Sequence, residues 1–156
     1  MLHGTQGSAL RYLEWVESIG SNNNKHCIIG HYIEQFDIPI IIRSLVRGVS
    51  DDIGKARIDR FTKAITHYID TYPLFRDCKA MWDASPCDYP QDTTIFQSFK
   101  LGDLYSHVFS ERLPNAHTAV GDAKANLKLL LALDPTLYYA KGYMKEVNEL
   151  VAKITQ

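Results

Sequence analysis

The stretch "HCIIGHYIEQFDIPIIIRSLVRG", residues 26–48, constrains the fold more than any other part of the chain. "HCIIG" is short, apolar and β-branched, which suits a buried strand. Gly30 closes it and "HYIEQFD" makes a loop. "IPIIIRSLVRG" then reads as a helix, with Pro39 in its first turn and Gly48 at its C-terminal stop. Strand, loop and helix in that order form a βα unit, so the chain belongs with α/β folds.

Helical patterns dominate the remainder. Ser8 is placed to cap a helix over "ALRYLEWVESI", where Leu10, Leu13, Trp15 and Val16 supply an apolar face. "DDIGKARIDRFTKAITHYIDTYP" puts Ile58, Phe61, Ile65, Tyr68 and Ile69 on one stripe, and a helix is predicted until Pro73 breaks it. "LFRDCKAMW" reads as a strand or extended segment, and "DASPCDYPQDTT" as loop. "FKLGDLYSHVFS" is predicted helical with Leu101, Leu104, Tyr105 and Val108 inward. The stretch "PNAHTAVGDAKANLKLL" opens a helix that runs to about Leu133, where Asp134-Pro135 ends it. "YMKEVNELVAKI" is the last predicted helix. The expectation is an α/β fold with helix in excess, forming one domain over residues 1–156.

Bulk properties narrow the function. A hydrophobic content of 46% excludes disorder, and a net charge of −1 gives no general basis for nucleic-acid binding, so any basic groove has to be local. Three cysteines, Cys27, Cys78 and Cys87, form no CxxC pair, which favours reduced thiols inside a cell, in cytoplasm or nucleus. No apolar run approaches the ~20 residues of a membrane span, and "MLHGTQGSALRY" lacks the apolar core of a secretory signal. No membrane partner is expected.

Three residues stand out as chemistry-bearing: Asp37 at a strand-to-helix junction, and His117 five residues ahead of Asp122 at the mouth of a helix. Taken singly, each has a plainer reading. Asp37 serves as a helix-capping acid, Asp122 sits favourably near a helix N-terminus, and His117 is a loop histidine bonded to backbone. His31 and Glu34 need no role. Cys78, Cys87 and His107 make a poor zinc set. The basic residues Arg43, Arg47, Lys55, Arg57, Arg60 and Lys63 are diluted by Asp51, Asp52 and Asp59, as on a solvated helix face.

In order and local context, "HYIEQFD-I-P", "KLGDLY" and "AHTAVGDAKANLKLL" resemble the second half of the DEDDh family of 3′–5′ exonucleases, most closely its short TREX-like members. The resemblance covers about residues 26–133. It implies an RNase H-like fold and hydrolysis of phosphodiester bonds at nucleic-acid 3′ ends, single-stranded ones first. It also implies two Mg²⁺ or Mn²⁺ ions held by carboxylates, with Asp37 and Asp122 as metal ligands and His117 as general base. It assigns no nucleic-acid-binding residues, and leaves DNA against RNA open.

The family's first motif, D-x-E on an apolar strand, has no counterpart before Asp37, and the second motif's H-N reads His31-Tyr32. Glu14 and Glu17 lie three apart in a helical pattern and do not replace it. The N-terminal strands of the family are therefore expected to be missing, leaving "HCIIG" with an open edge that a partner chain or second copy would fill. Two explanations stay open: a truncated reading frame, or a degenerate, catalytically inactive module kept for binding protein or RNA. Either way, weak or absent hydrolysis is expected.

Overall fold

Helix-forming runs punctuated by three short strands set the order of elements. The computed structural model describes residues 4–19, 25–78 and 98–155, with side chains from residue 7 onward. The elements are α1 (Gly4–Ile19), β1 (His26–Gly30), α2 (Asp37–Val46), α3 (Asp51–Ala64), β2 (Ile65–Asp70) and α4 (Thr71–Asp77). They continue with α5 (Leu101–Phe109), α6 (Ala119–Leu133), α7 (Tyr138–Lys141), β3 (Met144–Glu146) and α8 (Val147–Ile154). The three strands form one small mixed sheet in the order β1-β2-β3. An α/β arrangement rich in helix is what the sequence pattern implied. Two compact units make up the chain: residues 1–69 with 144–156, and residues 70–143.

The first unit is built on the expected βα element. Pro39 is buried in the first turn of α2, and Gly48 closes that region at φ 69°, a left-handed value glycine adopts without strain. Ile38, Ile42 and Leu45 face inward at helical spacing and meet Leu13 and Val16 of α1, Phe61 of α3 and Ile65 of β2. Val147, Leu150 and Val151 of α8 complete this core from the far end of the chain. Trp15 does not join it. Two positions after Leu13 it points about 200° round the helix, is 56% exposed, and lies beside Tyr12 with ring centroids 5.9 Å apart. Arg60 of α3 donates two hydrogen bonds to the Glu17 carboxylate of α1, at 2.9 and 2.7 Å, and Arg57 donates to the Leu45 carbonyl at 3.1 Å.

The predicted helix over 51–73 is divided. It stops at Ala64, and "ITHYID" becomes β2, antiparallel to β3 with His67 opposite Glu146, Tyr68 opposite Lys145 and Ile69 opposite Met144. Ile65, Thr66 and Ile69 are β-branched and stiff at χ1, which favours a strand once partners are present. The expected extended segment from Leu74 is instead α4. Asp70 caps it, accepting from the Tyr72 N–H at 2.9 Å, and Pro73 lies in the first turn, where its missing N–H costs nothing. Residues 79–97, with the rest of "LFRDCKAMW", the loop that follows and Cys87, lie outside the described residues. Met144–Glu146, expected to begin the last helix, is strand.

In the second unit, Leu104 and Tyr105 of α5 are buried along with Ala125, Leu129, Leu130 and Leu133 of α6. Leu101 and Val108 are half-buried. One buried polar contact ties α4 to α6: Thr71 Oγ1 donates to Asn126 Oδ1 at 2.7 Å. At the end of α6 the buried Asp134 carboxylate accepts from the N–H groups of Tyr138 and Ala140, both at 2.8 Å, and so organises α7.

Candidate functional site

The His117–Asp122 pair sits where the sequence placed it, at the entrance to α6, and the local chain explains how. Thr118 is the N-cap. Its Oγ1 accepts from the Gly121 N–H at 3.1 Å and donates to the Asn115 carbonyl at 2.7 Å, while its own N–H donates to that carbonyl at 3.2 Å. This closes a tight loop in which Asn115 (φ 52°) and His117 (φ 65°) are both left-handed. Asparagine and histidine both enter that region more often than most residues, at a modest conformational cost. Asp122 Oδ1 then accepts from the His117 backbone N–H at 3.2 Å. Imidazole and carboxylate are thus brought to one turn, with His117 exposed and Asp122 half-buried.

Gly121 makes this turn feasible. A Cβ there would fall 2.3 Å from the Asn115 oxygen and 2.7 Å from Thr118 Oγ1, so the loop closes only over a residue without one. Thr118 and Gly121 escaped the sequence reading as site-forming residues. A threonine three positions before a glycine at a helix entrance was the available signal.

Asp37 belongs to the other unit. It is the first residue of α2, behind an N-cap, Phe36, that makes no side-chain capping bond. There its charge complements the positive helix terminus. Its neighbourhood is aromatic. Tyr32 (φ 61°) meets His31 edge-on at 5.2 Å and Phe36 edge-on at 6.1 Å. Burial, with the Asp37 charge second, pushes the Tyr12 phenol above its ordinary range. Glu34 is engaged elsewhere, accepting from Lys145 Nζ of β3 at 2.6 Å. Of the basic residues, Arg57 and Arg60 are used in packing, as described above. Cys27 and Cys78 are free thiols, and burial raises both.

The Mg²⁺ or Mn²⁺ expected from the resemblance would need several oxygen ligands converging at ~2.0–2.2 Å. Among the described residues no three His, Cys, Asp or Glu side chains come together as a group able to hold a metal ion. The His117–Asp122 turn supplies one carboxylate, with one oxygen already accepting from backbone, and the start of α2 supplies Asp37 in the other unit. Neither unit taken alone fits a two-ion cage.

No helix among the described residues is long and apolar enough to cross a membrane. Compared with known proteins, the chain matches no family model and no curated sequence.

Proposed function

We propose that this chain is an exonuclease-like domain of the DEDDh type, acting slowly on single-stranded nucleic-acid 3′ ends inside the cell. The observation that carries the reading is the turn at the head of α6. The "HTAVGD" motif forms one hydrogen-bonded loop in which the Asp122 carboxylate accepts from the backbone N–H of the exposed His117. Two further motifs support it by context. "FD" opens a helix directly after the β1 loop, and "KLGDLY" starts the helix whose Leu104 and Tyr105 are buried with α6.

The chemistry assignable to this chain's own residues is modest. The exposed His117 imidazole is the group available to accept a proton from water. Asp122 holds the backbone that carries it. The Mg²⁺ or Mn²⁺ requirement belongs to the resemblance, and the described donors do not meet it by themselves, so the expected rate is low. The strand order leaves β1 at an edge of the sheet, so a strand from a second copy or partner chain has a place to add.

One observation favours a second reading, a catalytically silent module that binds protein or RNA. Asp122 spends an oxygen on its own loop, and no third donor joins it among the described residues. The full chain incubated with 3′-labelled single-stranded DNA or RNA and Mn²⁺ or Mg²⁺ separates the two. The enzyme reading expects mononucleotide release that chelator stops, and that falls to background in Asp122→Ala and His117→Ala. If the unmodified chain releases no more than these variants, and calorimetry finds no Mn²⁺ binding, the silent module stands instead.

A further inference from the structure

Beside the His117–Asp122 turn, and sharing the loop that forms it, lies a groove of about 320 Å³ lined by residues of α5, of the 113–118 loop and of α6. This size falls at the lower end of the ~300–1,000 Å³ typical of ligand pockets. Leu113, Pro114, Val120 and Ala125 give it an apolar part. Asn115, Thr118, Lys124 and Lys128 give it a polar one; among the described residues no acid lines it, and Glu111 reaches its edge through Lys128.

The two lysines stand one helical turn apart, so they project along the same face. Lys128 is pinned. Its ammonium donates to the Tyr105 hydroxyl at 2.8 Å and to Glu111 at 3.0 Å, and sits 3.9 Å from the centre of the Phe109 ring. Tyr105 and Glu111 together hold it above the usual lysine range. Its two hydrogen bonds and the Phe109 ring fix where this charge sits, so it acts on the groove through its position. Lys124 is exposed and has no ion-pair partner among the described residues. A fixed cation, a free cation four residues before it and an adjoining apolar wall match a phosphate group attached to a less polar body.

We propose that this groove binds a phosphate group of a nucleotide, with Lys124 as the principal contact and Lys128 as the fixed second charge. The nucleotide identity rests on the exonuclease reading; the anion chemistry does not. The site lies along α6 and shares Asn115 and Thr118 with the loop that carries His117. It would seat either the phosphate of a released mononucleotide or one from the strand being shortened. In both cases the ligand braces the loop that fixes the His117 backbone.

The test is binding to the full chain in EDTA, where hydrolysis does not intervene. Calorimetry with dTMP and with inorganic phosphate, and fluorescence polarisation with a fluorescein-labelled oligo(dT), form three arms. Saturable binding in any arm that Lys124→Glu weakens about tenfold, the loss of one charge-assisted bond, supports the site. Lys124→Arg should restore it. Binding of dTMP marks a mononucleotide site; binding of oligo(dT) alone marks a backbone site. No binding in any arm overturns the proposal, as does binding that Lys124→Glu leaves intact in a variant with the parent's circular dichroism spectrum. Because chelator is present throughout, a Lys124-dependent signal survives failure of the nuclease assay, and loss of that signal leaves the nuclease reading standing.

Discussion

At Gly121 a hydrogen occupies a space that would admit nothing larger. A methyl group there meets a backbone carbonyl at 2.3 Å, and neither that carbonyl nor the N-cap hydroxyl at 2.7 Å can move without opening the loop. Gly121→Ala is therefore expected to destabilise the protein by about 1–3 kcal/mol in chemical denaturation, despite the better helix propensity of alanine. Gly7 in α1 provides the contrast: a Cβ there touches nothing within 4 Å, so Gly7→Ala should stabilise by about 0.4–1 kcal/mol. At this scale the sequence was partly readable. The H-x4-D spacing marked the turn, in which the Asp122 carboxylate accepts from the His117 backbone N–H. Nothing in the letters showed that the carboxylate would bond the histidine's backbone rather than its ring, because that depends on two left-handed residues in the loop.

Among the elements, the part of the sequence read best was the βα unit, whose strand matches the expected bounds and whose helix matches within two residues, although the strand expected to be buried alternates between half-buried and exposed positions. Pro39 and Gly48 act locally, so no distant partner was needed to place them. The stretch 65–70 was misread because Ile65, Tyr68 and Ile69 satisfy a helical stripe while also suiting a strand, and only the pairing with β3 decides between them. β3 was hidden for a related reason: three exposed residues carry no periodic signal. The contact between Lys145 of β3 and Glu34 in the turn after β1 makes this arrangement sensitive to pH. Burial alone would raise the Glu34 carboxyl. The bond from Lys145, with Tyr68 and Lys153 adding to it, outweighs burial and holds it below its ordinary 4.5. A carboxyl lowered by folding stabilises at pH above that ordinary value, and the contribution disappears as pH falls through the lower folded value. Between pH 7 and pH 3 the melting temperature of Glu34→Gln should therefore drop less steeply than that of the parent protein.

For the molecule as a whole, the core of the first unit is assembled from both ends of the chain. Val147 is fully buried among residues from the first half of the sequence. Val147→Ala removes two buried methyl groups and should cost about 2 kcal/mol, whereas Met144→Ala, at a side chain 46% exposed, should cost little. The sequence could announce the amphipathic pattern of α8 but not its destination, since periodicity says which face is apolar and not what covers it. The pairing of Ile69 with Met144 has a practical outcome. Facing residues of an antiparallel pair lie about 5 Å apart, so everything from Asp70 to Tyr143 departs and returns through one narrow gap. Asn-Gly could bridge that gap as a hairpin turn. A gene spliced in this way should encode a miniature with its own cooperative melt, from which the 70–143 insert has been lifted out like a cassette.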